Sequence, residues 1–392
     1  MGLRSGLRRA GHPAEGTSSR PADGPAPAPP GTAAAAPRRT GWLVPDGEGR
    51  LSAYAAGRGG GIVRWTESAT RPYAWTPPEL LLADGRILPY LSVARGPRGY
   101  IDLFAMRRKG GGPESPVEIV YASQYQAGRP LTGWHSIGNP QGRDAAPAAS
   151  IGAPVAVVDG SGKVHVFVRS ATGGVFTRRR SQHGTWSKWT ALPCEGVREG
   201  LSPVVTGSGR VELLMPADDG VYVWRQAKPG VPLERAPDLA YTARPESVSG
   251  IGSYEDRVTH FWRDDATGEV VAHRLTESGG EDTAPDGLAA LDGRSGRGPV
   301  ALSRCDVDGH DCTVLAQADG SGTLAVSAYP TELESAGAWW TDTREPCEGA
   351  PALARDRAGR LVVAAIGREG GLSVTRQRTD QQGMALKAWS RV

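Results

Sequence analysis

Residues 152–200 read GAPVAVVDGSGKVHVFVRSATGGVFTRRRSQHGTWSKWTALPCEGVREG. Four extended runs are legible in this stretch. PVAVVD is apolar and is broken by Asp159-Gly160-Ser161-Gly162. KVHVFVRS then alternates, with Val164, Val166 and Val168 on one face and His165, Phe167 and Arg169 on the other. Ala171-Thr172-Gly173-Gly174 leads into GVFTRRR, and the break from Ser181 to Gly184 leads into TWSKWTAL. Period-two alternation between clusters of Gly, Asp and Ser specifies strands joined by tight hairpins. Four such strands make one antiparallel sheet, which alone is marginal in water. It needs neighbours.

Eroded copies of the same unit supply them. Units begin near residues 41, 87, 152, 201, 247, 297 and 350. In each, the break after the second run carries Gly: GRGGG, RKGGG, ATGG, ADDG, ATGE, DGSG and REGG. A period of about fifty residues with four strands per unit specifies a β-propeller, whose radial sheets bury both faces against each other. The predicted fold is all-β: a seven-bladed propeller with four antiparallel strands per blade. Unit one has its own first run (GWLVPDG) and unit seven its own fourth (ALKAWSRV), so closure by whole blades is expected. Residues 41–392 then form one domain.

Residues 1–40 are rich in Pro, Ala, Gly and Arg, with almost no bulky apolar side chain, and are expected to be a disordered basic tail. Arg4, Arg8 and Arg9 form a charged cluster with no apolar core after it, so no signal peptide is predicted in the sequence as given. The tail holds six Arg against Glu15 and Asp23, leaving 39 basic and 40 acidic residues in the body. A neutral body argues against nucleic acid, which needs a clustered basic face. No apolar run approaches eighteen residues, so no membrane-spanning helix is predicted. Cys305 and Cys312 flank a short hairpin within reach of a disulfide, which would fit an oxidising compartment; four reduced cysteines would fit the cytoplasm equally. Cys194 and Cys347 sit at equivalent points of units three and six, too far apart in a ring to pair.

The tryptophans mark the outer runs. Trp75, Trp134, Trp189, Trp340 and Trp389 all fall in the fourth run of a unit, where a large flat side chain fills the wedge between blades. The blade pattern PAVV, DG, VxVFVR, TGGVF and GxWSxWxxL resembles the seven-bladed PLL-like propeller lectins, a fucose-binding group. The match is over the whole of 154–192, and partial or in outline elsewhere. The resemblance implies shallow sugar sites between adjacent blades, where an aromatic face meets polar side chains, and it favours an extracellular role. The pairings offering that mixture are Trp186 and Trp189 with Arg169, Trp65 with Arg64, Trp224 with Arg225, and Trp262 with Arg263 and Asp264. Units five to seven lack the third-run aromatic seen as Trp65 and Trp224, so few sites are expected.

Catalysis is not expected. Ser181-Gln182-His183-Gly184-Thr185-Trp186 is the nearest approach to a sialidase Asp-box and has no Asp. No pair of carboxylates stands out for glycoside hydrolysis, and no nucleophile elbow, phosphate loop or zinc spacing is present. No cofactor or metal is predicted. Asp306-Val307-Asp308-Gly309-His310-Asp311 has calcium-like acidic spacing, yet Gln317 stands where a distal Glu is needed. The expected function is recognition of fucosylated or related glycans, as a free-standing lectin or as the targeting subunit of a secreted toxin complex. The alternative is a protein–protein scaffold that has kept the propeller and lost its sugar sites.

Overall fold

Each alternating run becomes a strand and each Gly-rich break a hairpin. The structure, a computed structural model, describes residues 31–125, 129–142, 145–274 and 288–392. Among them the chain forms seven four-stranded antiparallel sheets, over 43–82, 87–138, 155–192, 202–235, 249–290, 296–346 and 352–391. The strands of each sheet are consecutive, and no sheet borrows a strand from another, so the ring closes by whole blades. In blades 3 and 7 the glycine of the break is stereochemically required: Gly173 and Gly370 sit at φ 84° and 78°, a region L-residues rarely enter.

The hydrophobic core is divided among the blade junctions. Val164, Val166 and Val168 pack on Phe104 and Ile119 of blade 2, whereas Phe167, from the opposite face of the same strand, packs on Leu213 and Trp224 of blade 4. Second strands are therefore covered on both sides. Leu51–Ala56, Val211–Pro216, Val258–Arg263 and Leu361–Ile366 are buried at every residue. The outer-run tryptophans wedge the periphery as expected: Trp189 Nε1 donates to Ile137 O at 3.1 Å and Trp340 Nε1 to Leu291 O at 2.8 Å, each across to the preceding blade.

Residues 31–40, assigned to the tail by composition, instead lie on the propeller. Ala34 is fully buried, and its N–H donates to Gly370 O at 3.0 Å. Ala35 N–H donates to Ala56 O at 2.7 Å and Ala350 N–H to Pro37 O at 2.6 Å, stitching blade 7 to blade 1. The strap then enters the mouth of the central channel. There Arg38 and Arg39 line a cavity of about 300 Å³ formed largely by first strands around the ring. Arg39 Nη1 donates to Leu201 O at 2.7 Å; burial pushes its pKa down to about 10, against the opposing pull of Glu199 and Glu246. Composition missed the strap because backbone hydrogen bonds and small side chains anchor it, rather than apolar bulk. Residues 1–30 of the expected tail lie outside the described residues.

Candidate functional site

The side chain that closes the third strand of a blade reaches back to the blade before it. Gln124 accepts from Tyr54 Oη at 3.3 Å, linking blades 2 and 1. Gln377 Nε2 donates to Asp306 O at 2.7 Å, linking blades 7 and 6, and Glu67 pairs with Arg376 between blades 1 and 7. Gln226 Nε2 reaches Asp159 Oδ2 at 3.5 Å. At this register blade 3 carries Arg180, and blade 2 answers with a carboxylate. Arg180 Nη2 donates to Asp102 Oδ1 and Oδ2, both at 2.8 Å, and Nη1 donates to Ser123 Oγ at 3.0 Å. Ser123 donates in turn to Asp102.

This latch forms one wall of a small cavity. At the flanking junctions the hairpin turns of adjacent blades abut: a Cβ on Gly99 would lie 2.6 Å from Gly47 Cα, and one on Gly160 would lie 2.8 Å from Gly209 Cα. Between blades 2 and 3 the turns stand apart and leave about 80 Å³, lined by Tyr100, Tyr125, Asp102, Arg180, Ser161 and Gln182 among others. Tyr100 and Tyr125 meet edge to face, with centroids 5.3 Å apart at 87°, and are 37% and 52% exposed. The cavity thus combines exposed aromatic surface with a fixed donor–acceptor pair, the two elements a neutral polyhydroxylated ligand needs.

The tryptophans of blade 3 border the same junction. Trp186 packs edge-on against Tyr121 at 5.2 Å and Phe104 at 6.2 Å. The Arg178 guanidinium lies 5.7 Å from the Trp186 ring centroid and 5.9 Å from that of Trp189, and burial lowers its pKa. Arg180 lies 5.7 Å from the Trp186 ring. Trp186 Nε1 is buried with no hydrogen-bond partner.

The structure therefore brings Trp186 and Trp189 together, but with Arg178 and Arg180. Arg169 is at the other end of its strand, where Nη1 pairs with Glu199 of blade 4 at 3.3 Å. The remaining pairs are split. Trp65 is buried against blade 7, while Arg64 pairs with Glu79 at 2.6 Å. Trp224 is buried against blade 3, while Arg225 turns to Glu212 at 3.5 Å. Trp262 is buried against blade 4, and Arg263 is fully buried among Gly298 O, Gly293 O and Gln317 of the next junction. Asp264 Oδ1 caps its own turn at Thr267 N. These three indoles are buried in the blade junctions. Tyr100, Tyr125, Asp102 and Arg180 escaped the sequence reading; the available signal was Arg180 standing where blades 2, 4 and 7 carry Gln.

The acidic hairpin at 306–311 does not gather its carboxylates. Asp306 Oδ1 caps Gly309 N at 3.1 Å, Asp308 Oδ2 accepts from Gly383 N at 2.8 Å, and Asp311 pairs with Arg304. Cys305 and Cys312 face each other in register across this hairpin and are free thiols.

No family model matches the sequence, and no curated protein matches it. The fold has solved counterparts. The chain is similar to the BP39L lectin from Burkholderia pseudomallei at 14% identity and TM-score 0.61, covering 91% of this chain and 100% of that one. It is also similar to the SapL1 lectin, solved in complex with alpha methyl fucoside, at 12% identity and TM-score 0.48 over 77% of this chain and 94% of that one. The Aleuria aurantia lectin, solved with Fucα1-6GlcNAc, matches at 11% identity and TM-score 0.47 over 78% and 96%. At these identities the likeness is one of fold.

Proposed function

We propose that this chain is a non-catalytic, glycan-binding propeller whose recognition site is the cleft between blades 2 and 3. The observation that carries the reading is the exposed Tyr100–Tyr125 pair beside the buried Asp102–Arg180 latch. Tyrosine rings give a sugar's C–H surface something to pack on, while phenol, amide and guanidinium groups take its hydroxyls. A propeller fold shared with a lectin supports this. The blade-three resemblance to PLL-like lectins points to fucosylated glycans as the ligand class. Such a module delivers whatever carries it to a glycan-bearing surface, which suits a toxin-complex targeting subunit as well as a free-standing lectin.

The test is a glycan array probed with the folded full-length chain. Retention of fucosylated glycans supports the reading. A blank array from monodisperse protein contradicts it and directs attention to a protein partner.

A further inference from the structure

The junction of blades 7 and 1 opens on the same face as the Tyr100–Tyr125 cleft, and its chemistry is different. Tyr73 stands on the loop between the third and fourth strands of blade 1, 53% exposed. Its φ is 63°, a left-handed backbone that is unusual for an aromatic residue and that persists only where surrounding contacts impose it. Three cations surround its ring. The guanidinium carbons of Arg360 and Arg376 lie 4.8 and 4.9 Å from the ring centroid, and Lys387 Nζ lies 5.5 Å from it. Arg360 and Lys387 also line an open cleft of about 460 Å³ together with Gln377, Arg378, Thr379 and Asp380, all of blade 7, and through these two cations Tyr73 of blade 1 borders the cleft.

The charges in this cleft do not cancel. Arg376 is paired with Glu67, Arg360 with Asp356 at 2.7 Å, and Arg378 with Asp380 at 2.8 Å. Lys387 has no ion-pair partner among the described residues, and Asp380, whose carboxylate feels its field, is already held by Arg378. One uncompensated ammonium beside an exposed aromatic ring suits a ligand with a single negative charge and an apolar face. A polyanion would need a run of free cations, and of the three cations lining this cleft Arg360 and Arg378 are already paired.

We propose that this cleft of blade 7, bordered by Tyr73 of blade 1, binds a carboxylate-bearing saccharide of the hexuronic acid class. Lys387 takes the carboxylate, and the exposed part of the Tyr73 ring packs against the sugar's C–H surface. The sugar part of this assignment rests on the glycan-binding reading; the anion part rests on the cleft alone.

The test is calorimetric titration of the full-length chain with methyl β-D-glucuronide, methyl β-D-glucoside and sodium acetate. The glucuronide is expected to bind at least about tenfold more tightly than either control, and more weakly as salt is raised. Lys387→Ala, at an exposed position, is expected to lose at least about fivefold in glucuronide affinity. Lys387→Arg is expected to keep it, and so is Tyr100→Ala/Tyr125→Ala. Equal binding of glucoside, acetate binding as tight as glucuronide, no glucuronide binding by folded protein, or loss in the tyrosine double variant each overturns the proposal. An array positive for neutral glycans together with silent glucuronide removes this site and leaves the first. Glucuronide binding with a blank neutral array does the reverse.

Discussion

Arg180 of blade 3 holds both carboxylate oxygens of Asp102 of blade 2 at 2.8 Å, with the two side chains almost fully enclosed. Other blades close the equivalent register with Gln124, Gln226, Gln377 or Glu67. Gln124 and Gln377 satisfy the latch position with a neutral amide and draw no charge out of water, so the ionic latches, Glu67–Arg376 and Asp102–Arg180, are the costlier choice. The latter stands at the junction with the open, tyrosine-lined cavity.

Removing one partner of this pair leaves the other charge buried. Arg180→Met is expected to destabilise the fold by about 3–5 kcal/mol in urea unfolding. Asp102→Leu/Arg180→Met, which removes both charges, should recover most of that loss. If the double variant is as unstable as the single, packing rather than charge governs the junction.

Blade architecture was legible in the sequence because two local signals recur together: period-two alternation, and a Gly-bearing break after every second strand. The Trp–Arg pairings are divided for an equally local reason. Adjacent residues in a strand point to opposite faces, and in a propeller those faces belong to different junctions. Arg64 and Trp65, Trp224 and Arg225, and Trp262 and Arg263 are therefore each divided between two neighbours. Tyr100 and Tyr125 oppose each other across blade 2, one step beyond the Ile101–Gln124 pair of its second and third strands, but the opening of the cavity beside them depends on how far blades 2 and 3 stand apart, which no local pattern encodes.

The acid limb of stability should depend on Asp159. Burial pushes its carboxyl pKa up, but hydrogen bonds from His165 at 2.9 Å, Ser161 at 2.7 Å and the Lys163 backbone at 3.0 Å outweigh it and hold the pKa well below the usual carboxylate range. The folded-state pKa is thus below the unfolded value of about 3.9. The stabilisation is complete above that value and is lost as pH falls from it toward the folded pKa. Asp159→Asn should lower the urea midpoint at pH 7 and flatten its decline below about pH 4. An unchanged acid slope would contradict the assignment.

The buried thiols should be inert in the native state. Burial pushes Cys305 and Cys347 up to about 12, so almost none of either is thiolate at pH 8. Cys194, only half-buried, should react first with a disulfide reagent, and the others only on unfolding. Fast native labelling of Cys305 would contradict this.

The strap over 31–40 should support closure of the ring. A chain beginning at residue 41 loses the hydrogen bonds of Ala34, Ala35 and Pro37 and uncovers the blade 1 and blade 7 side chains that Ala34 packs against. The expected loss relative to a chain beginning at residue 31 is on the order of 2–4 kcal/mol. Native-state hydrogen exchange should quicken first in the edges of blades 1 and 7. Equal stability of the two chains would show the strap to be a passenger.

The most direct test of the central claim is the affinity of the full-length chain for its best fucosylated array ligand, compared with Tyr100→Ala/Tyr125→Ala and with Lys387→Ala. Glycan recognition between blades 2 and 3 predicts a loss of at least about tenfold in the tyrosine variant, from two missing aromatic surfaces, and an unchanged value for Lys387→Ala. An unchanged affinity in a folded tyrosine variant would contradict it.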